Sequence, residues 1–226
     1  MIFSEEYLEV LMECPLFAEI AQEDLIAVMG CLAARVERYA RRQMVMQQGG
    51  EAQCLGVVLK GSVRIEQVDW FGSRSVLGAA EAGDLFAETF ACAGAENLPV
   101  SVIAAEDTEV LLVDCERVLH ACSHACEFHR QLIYNLMRVL AQKNLAFHRK
   151  LEIAAQRTTR EKLLTYLGQQ AMRSGSRKFS IPFDRQALAD YLQVDRSGLS
   201  VEIGKLKREG VIDCEKNRFE LKGMME

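Results

Sequence analysis

Asp184-Arg-Gln-Ala-Leu-Ala-Asp-Tyr-Leu-Gln-Val-Asp-Arg-Ser-Gly-Leu-Ser-Val-Glu-Ile-Gly-Lys-Leu-Lys-Arg-Glu-Gly210 is the stretch on which the reading of this chain turns. Asp184 and Asp195 each precede a run of helical period, where a carboxylate can accept from orphan backbone N–H groups. The spacing predicts a helix from Asp184 to Leu192, a Gln193-Val194 turn, and a second helix from Asp195 to Glu209. Two capped helices across a tight turn form a helix-turn-helix, and the small Ala187 and Ala189 allow the pair to pack closely. On the second helix Leu199, Ile203 and Leu206 recur at i, i+4 and i+7 and face a core.

The opposite face of that helix carries Ser197, Val201, Gly204 and Arg208, with Arg196 in the first turn. Such a face suits the major groove of DNA: Arg matches guanine edges bidentately, and an apolar side chain can meet a thymine methyl. Arg196, Ser197, Ser200 and Val201 are the candidate base contacts; Arg185, Lys205, Lys207 and Arg208 are the candidate phosphate contacts. A hairpin over 211–221, turning at Lys216-Asn217, follows as a wing. The same winged-helix pattern can also serve protein contacts.

Charge separates this end of the chain from the rest. Residues 1–155 hold 13 Lys and Arg against 22 Asp and Glu, whereas residues 156–226 hold 14 against 10. Only the C-terminal part has the sign of a polyanion-binding surface.

Upstream, after helical stretches at Tyr7–Met12 and Gln22–Ala34, the texture changes to short apolar runs. Gly50, Gly61, Gly72, Gly83 and Gly94 are evenly spaced, the rhythm of short strands in a sandwich or barrel. Two strand pairs stand out: 55–65, turning at Lys60-Gly61-Ser62, and 100–113, turning at Glu106-Asp107-Thr108. From Ser123, a candidate cap, helical period resumes for about 30 residues, longer than a small domain needs. Its stripe includes Ile133, Leu136, Met137, Leu140 and Phe147, which we read as the dimer seam; a helix packed within its own subunit is the alternative.

The order of Pro15-Leu16-Phe17, Leu59-Lys-Gly-Ser-Val-Arg-Ile65, Gly83-Asp-Leu-Phe-Ala-Glu88, the long helix and Leu188–Gly210 resembles the Crp/Fnr family of transcription regulators over nearly the whole chain. The resemblance implies an α+β architecture. Residues 1–122 would form a double-stranded β-helix (jelly-roll) sensor of the cyclic-nucleotide-binding type, 123–155 a dimerisation helix, and 156–226 a winged helix-turn-helix. It further implies a homodimer on palindromic double-stranded DNA, with RNA polymerase as a partner.

The chain departs from the family at two places. Cyclic-nucleotide-binding members pair Gly-Glu with a later Arg-Ser or Arg-Thr that takes the cyclic phosphate. Here the corresponding effector-pocket positions read Ala87-Glu88 and Leu98-Pro99, and no Lys or Arg lies between Ala87 and Ile103. A buried phosphate there would lack its countercharge, so cAMP is not the expected effector. The second departure is Val201, where the family often has Arg, which predicts a different operator sequence.

Eight scattered cysteines suit a reducing compartment rather than a disulfide framework. Cys14 and Cys31 are too far apart for the compact ligand run of the family's iron–sulfur branch. The segment His120–His129 offers Cys122, Cys126 and His129 on one helical face as a candidate metal, haem or thiol-switch site, with a helix junction of buried thiols as the alternative. No phosphate-binding glycine loop, nucleophile elbow or zinc-hydrolase motif is present, which argues against an enzyme. No stretch has the length of a membrane span and no secretory signal opens the chain, so a cytoplasmic protein is expected. The rival reading overall is a cyclic-nucleotide-fold interaction protein that does not bind DNA.

Overall fold

The computed structural model describes residues 4–119 and 127–222, as two compact units that divide between Gln142 and Lys143. Ser123, Cys122 and Cys126 lie outside the described residues.

The first unit opens with α1 (Glu5–Glu13), a 3₁₀ turn (Pro15–Phe17) and α2 (Gln22–Cys31). Eight strands follow, interrupted by one short helix: β1 (Arg35–Tyr39), β2 (Met44–Met46), β3 (Cys54–Lys60), β4 (Ser62–Val68), β5 (Arg74–Glu81), β6 (Leu85–Phe86), α3 (Glu88–Cys92), β7 (Ser101–Ala104) and β8 (Thr108–Asp114). They build two antiparallel four-stranded sheets, β1-β8-β3-β6 and β2-β7-β4-β5. The jelly-roll expectation holds, but as a sandwich of two open sheets rather than a closed barrel.

Alternation along the central strands sorts their side chains into two cores. Leu55, Val57, Leu59, Leu111 and Val113 pack with α1 and α2, while Val58, Val110 and Leu112 pack with Val63 and Val102 of the other sheet. The first sheet is therefore covered on both faces, which is why β3 and β8 read as continuous apolar runs. Gly56 is required on the inner face because a Cβ there would overlap the Phe86 ring.

Both strand pairs anticipated from the sequence form their strands but not their pairing. β3 hydrogen-bonds β6 and β8, β4 hydrogen-bonds β5 and β7, and β7 also pairs with β2. The turns at Gly61 and at 105–107 are corners where the chain passes from one sheet to the other. Gly61 has φ +78, and an added Cβ would lie 2.6 Å from the Asp107 carbonyl oxygen. Thr108 Oγ1 donates to the Ser62 carbonyl at 2.9 Å, so the two corners brace each other.

After α4 (Cys115–Leu119) comes α5 (Glu127–Ala154). Its N-terminal half is anchored to the first unit: Leu132 and Leu136 enter the core, and the buried Asn135 donates to the Leu16 and Ala18 carbonyls at 3.0 and 2.7 Å. Leu136, at 1% exposure, is thus a core residue of its own subunit, and Leu140 packs partly against the same core. Residues 141–148 are all exposed.

The second unit contains α6 (Thr159–Ser174), β9 (Lys178–Ser180), α7 (Arg185–Leu192), α8 (Arg196–Arg208), β10 (Ile212–Glu215) and β11 (Arg218–Leu221). Its three strands form a sheet in the order β10-β11-β9. The core joins Ile153 of α5, Leu163 and Leu167 of α6, Leu188 and Leu192 of α7, and Phe219 of β11. Thr158 and Glu161 close a reciprocal capping box at the start of α6.

Candidate nucleic-acid interface and sensor site

α7 and α8 begin where the sequence placed them. Asp184 accepts from the Ala187 N–H at 2.8 Å, and Asp195 accepts from the Gly198 N–H at 2.7 Å. Gln193 sits in the left-handed region at φ +53, and the Val194 N–H reaches back to the Ala189 carbonyl at 3.0 Å, so two residues suffice for the turn. The Asp195 carboxyl is held below the usual carboxylate range by hydrogen bonds from Ser197 and the Gly198 amide.

Leu199, Ile203 and Leu206 are buried, which leaves Arg196, Ser197, Ser200, Val201, Lys205 and Arg208 exposed. Val201 is 58% exposed, an apolar side chain held out in solvent on an otherwise polar face. Ser197 Oγ bonds the Asp195 carboxylate and Ser200 Oγ donates to the Arg196 carbonyl at 2.9 Å, so both hydroxyls are engaged locally in the unbound chain. Arg208 Nε donates to the Gly204 carbonyl at 3.3 Å and Lys205 pairs with Glu202 at 3.5 Å. Arg185, half-buried, holds its guanidinium 5.9 Å from the Phe219 ring, linking the start of α7 to the wing.

Lys207, expected among the phosphate contacts, is exposed and also bonded within the unit. Its Nζ meets Asp213 at 2.9 Å and donates to the Cys214 carbonyl at 3.0 Å, tying α8 to β10. With Lys222 on its other side, Asp213 is pulled down to about 2.

Two basic residues of α6, missed in the sequence, fix the helix-turn-helix. Lys162 Nζ caps α7 at the Leu192 carbonyl, 3.2 Å away. Arg160 reaches Glu202 on α8 at 3.3 Å and Glu209 at the C-cap of that helix at 2.6 Å. Their place in the first turn of α6, within and directly after the capping box, was the available signal.

In the first unit Ala87 takes φ +59, a left-handed conformation that suits glycine better, and Glu88 beside it is buried at 3% exposure. Leu98 is buried and exchanges backbone bonds with Gly49 and Gly50 at 2.8 Å, while Pro99 is exposed. Of these four residues, none lines the roughly 760 Å³ cleft of this unit, which is formed by 51–53, Ala91, 94–97 and 114–116. His129 is buried with Nε2 3.0 Å from the Arg117 carbonyl oxygen, a structural hydrogen bond. Among the described residues no group of three or more His, Cys, Asp or Glu is placed to hold a metal ion, and no helix is long and apolar enough to cross a membrane.

Comparison with known proteins places both units. Residues 36–125 match the cyclic nucleotide-binding domain family and residues 161–225 the Crp-like helix-turn-helix domain family. No curated protein matches the chain. Among solved structures, OCPA-complexed CprK is similar with a TM-score of 0.61 at 15% identity, covering 89% of this chain and 92% of its own. CLP of Xanthomonas campestris, described as a c-di-GMP responsive global regulator, gives 0.53 at 20%, covering 89% and 100%. DNR of Pseudomonas aeruginosa gives 0.51 at 19%, covering 98% and 96%. At these identities the likeness establishes the fold, and the two domain matches in this order establish the rest: the chain belongs to the Crp/Fnr family of DNA-binding transcription regulators.

Proposed function

We propose that this regulator works as a cytoplasmic homodimer, joined along α5, that reads a palindromic DNA site with the first turns of α8 and responds to a signal other than cAMP. The observation that carries the reading is the exposed N-terminal face of α8, with Arg196 free of any ion pair among the described residues beside the outward Val201. Arg196 reads guanine, Val201 meets a thymine methyl, and Ser197 and Ser200 exchange their local bonds for base edges. Arg185, Lys205 and Arg208 hold phosphates and set register.

The dimer reading rests on the side of α5 turned away from the core of the first unit. Met137, Asn144 and Leu151 fall at heptad spacing on the uncovered side, with Ile133 and Phe147 flanking them; Met137, Phe147 and Leu151 are 58%, 65% and 53% exposed. A polar residue at one seam position fixes register at some cost in stability, the part assigned to Asn144. The sensor positions Ala87, Glu88, Leu98 and Pro99 offer no cation for a cyclic phosphate. Isothermal titration with cAMP should show no micromolar binding. Contact with RNA polymerase would follow from placement beside a promoter.

The test is selection of bound sequences from a random duplex pool by purified protein. Enrichment of a palindrome with half-sites about one helical turn apart is expected. Absence of any salt-steep DNA binding would refute this reading in favour of a cyclic-nucleotide-fold interaction protein.

A further inference from the structure

Two thiols of the first unit that play no part in the DNA-binding reading lie in contact. Cys92 ends α3, Cys115 opens α4, and their Sγ atoms are 3.3 Å apart although 23 residues separate them in sequence. Cys115 is buried at 1% exposure and Cys92 is half-buried. Cys115 and Ala91, the neighbour of Cys92, line the cleft of about 760 Å³ noted above, whose other walls include Gly94, Asn97 and Gln53; Cys92 does not line it and is open to solvent through its own partial exposure.

The contact is polarised. Either sulfur can donate in this contact; with Cys115 as the donor the bond holds Cys92 below the usual thiol range, while that bond and burial push Cys115 up. Glu88 opposes the first effect and Asp114 adds to the second.

We propose that Cys92 and Cys115 are a redox pair, closed to a disulfide by a two-electron oxidant of the hydroperoxide class and reopened by a dithiol reductant. The Cys92 thiolate attacks one peroxide oxygen. The O–O bond breaks, Cys92 becomes a sulfenic acid, and the departing oxygen takes a proton to leave as water or alcohol. Cys115 then gives up its proton, its sulfur attacks that of Cys92, the S–O bond breaks, and hydroxide leaves as water. Two thiols are oxidised by two electrons and one peroxide bond is reduced. The bridge would staple α3, whose cap and first residue are the effector positions Ala87 and Glu88, to α4, the last described element before α5.

The experiment uses the full chain, reduced, exposed to hydrogen peroxide, then alkylated under denaturing conditions and mapped by mass spectrometry. The expected product is a Cys92–Cys115 linked peptide, about 2 Da lighter than its two thiol halves and reopened by dithiothreitol. Among the described residues Cys31 is the exposed thiol, and Cys54 has its sulfur 3.8 Å from the Arg35 guanidinium, so both are internal competitors. Prior loss of Cys31 or Cys54, a Cys54–Cys115 bridge, or over-oxidation of Cys92 without a link would overturn the proposal. In Cys115→Ser a dimedone-trappable sulfenic acid should persist on Cys92, and in Cys92→Ser Cys115 should stay reduced. The mapping of the parent chain decides the question even if either variant fails to fold, and it needs no DNA.

Discussion

Replacing Met137 and replacing its neighbour Leu136 should act on different quantities, association and protomer stability. The two residues adjoin in sequence but stand about 100° apart around α5. Met137 is 58% exposed, while Leu136 is 1% exposed in the core with Leu16, Leu25 and Leu132. Met137→Ala removes roughly three heavy atoms from the proposed seam, worth about 2 kcal/mol per copy when fully buried, and a two-fold interface counts the loss twice. Burial of only half that surface leaves a total near 2 kcal/mol; full burial gives about 4. The dimer dissociation constant should therefore rise between about 30-fold and about 1000-fold. Unfolding of the isolated protomer should barely move. Leu136→Ala opens a cavity inside the subunit and should cost about 2–5 kcal/mol of its stability with little direct effect on association. Sedimentation equilibrium over a concentration series, with urea unfolding alongside, separates the two quantities. If Met137→Ala shifts the dissociation constant by less than about threefold, the uncovered face of α5 is not the seam.

Three further outcomes follow from the site geometry. Arg196→Ala should weaken binding to the selected operator by about 1–3 kcal/mol and leave the salt slope nearly unchanged, as fluorescence anisotropy across a salt series would read; a slope shallower by about one unit would instead make Arg196 a phosphate contact. Asp213, depressed to about 2 by Lys207 and Lys222, contributes stability that is present above its unfolded value near 4 and is lost as pH falls toward 2. Acid titration of the second unit should therefore lose that transition in Asp213→Asn, and an unchanged profile would discount the strut. Ala87→Gly relieves a left-handed alanine and should raise the melting stability of the first unit by about 0.5–1 kcal/mol, after allowing for the extra freedom of glycine when unfolded; a loss of stability would show that the Ala87 methyl packs usefully.

What could be read from the chain beforehand was what local chemistry dictates. The caps at Asp184 and Asp195, the Gln193-Val194 turn and the buried Leu199, Ile203 and Leu206 each depend on residues within one or two turns, and all are found in place. Strand existence was equally legible for β3, β4, β7 and β8. Their partners were not, because an apolar strand followed by a glycine turn reads the same whether the chain folds back in one sheet or crosses to another. Only the fit of Gly61 against the second corner distinguishes the cases. The long helix shows a related limit: one apolar stripe held two faces, with Leu136 turned to its own core and Met137 away from it. Lys207 looked like a free cation because its partner, Asp213, lies beyond a turn. The Cys92–Cys115 contact joins two short helices across two strands, and no spacing rule announces it.

The ion pairs from α6 to α8 have a consequence for the electrostatic field that DNA meets. A recognition helix bearing Glu202 and Glu209 would set two negative charges close to phosphates. Arg160 draws both carboxylates toward α6, and Lys205 shares Glu202, whose side chain is only 14% exposed. The acidic groups are thereby screened at their source, and the potential in front of α8 is left to Arg196, Lys205 and Arg208. On the proposed DNA-binding reading, Arg160 would act on affinity for any duplex at a distance, by withholding repulsion rather than by touching a base.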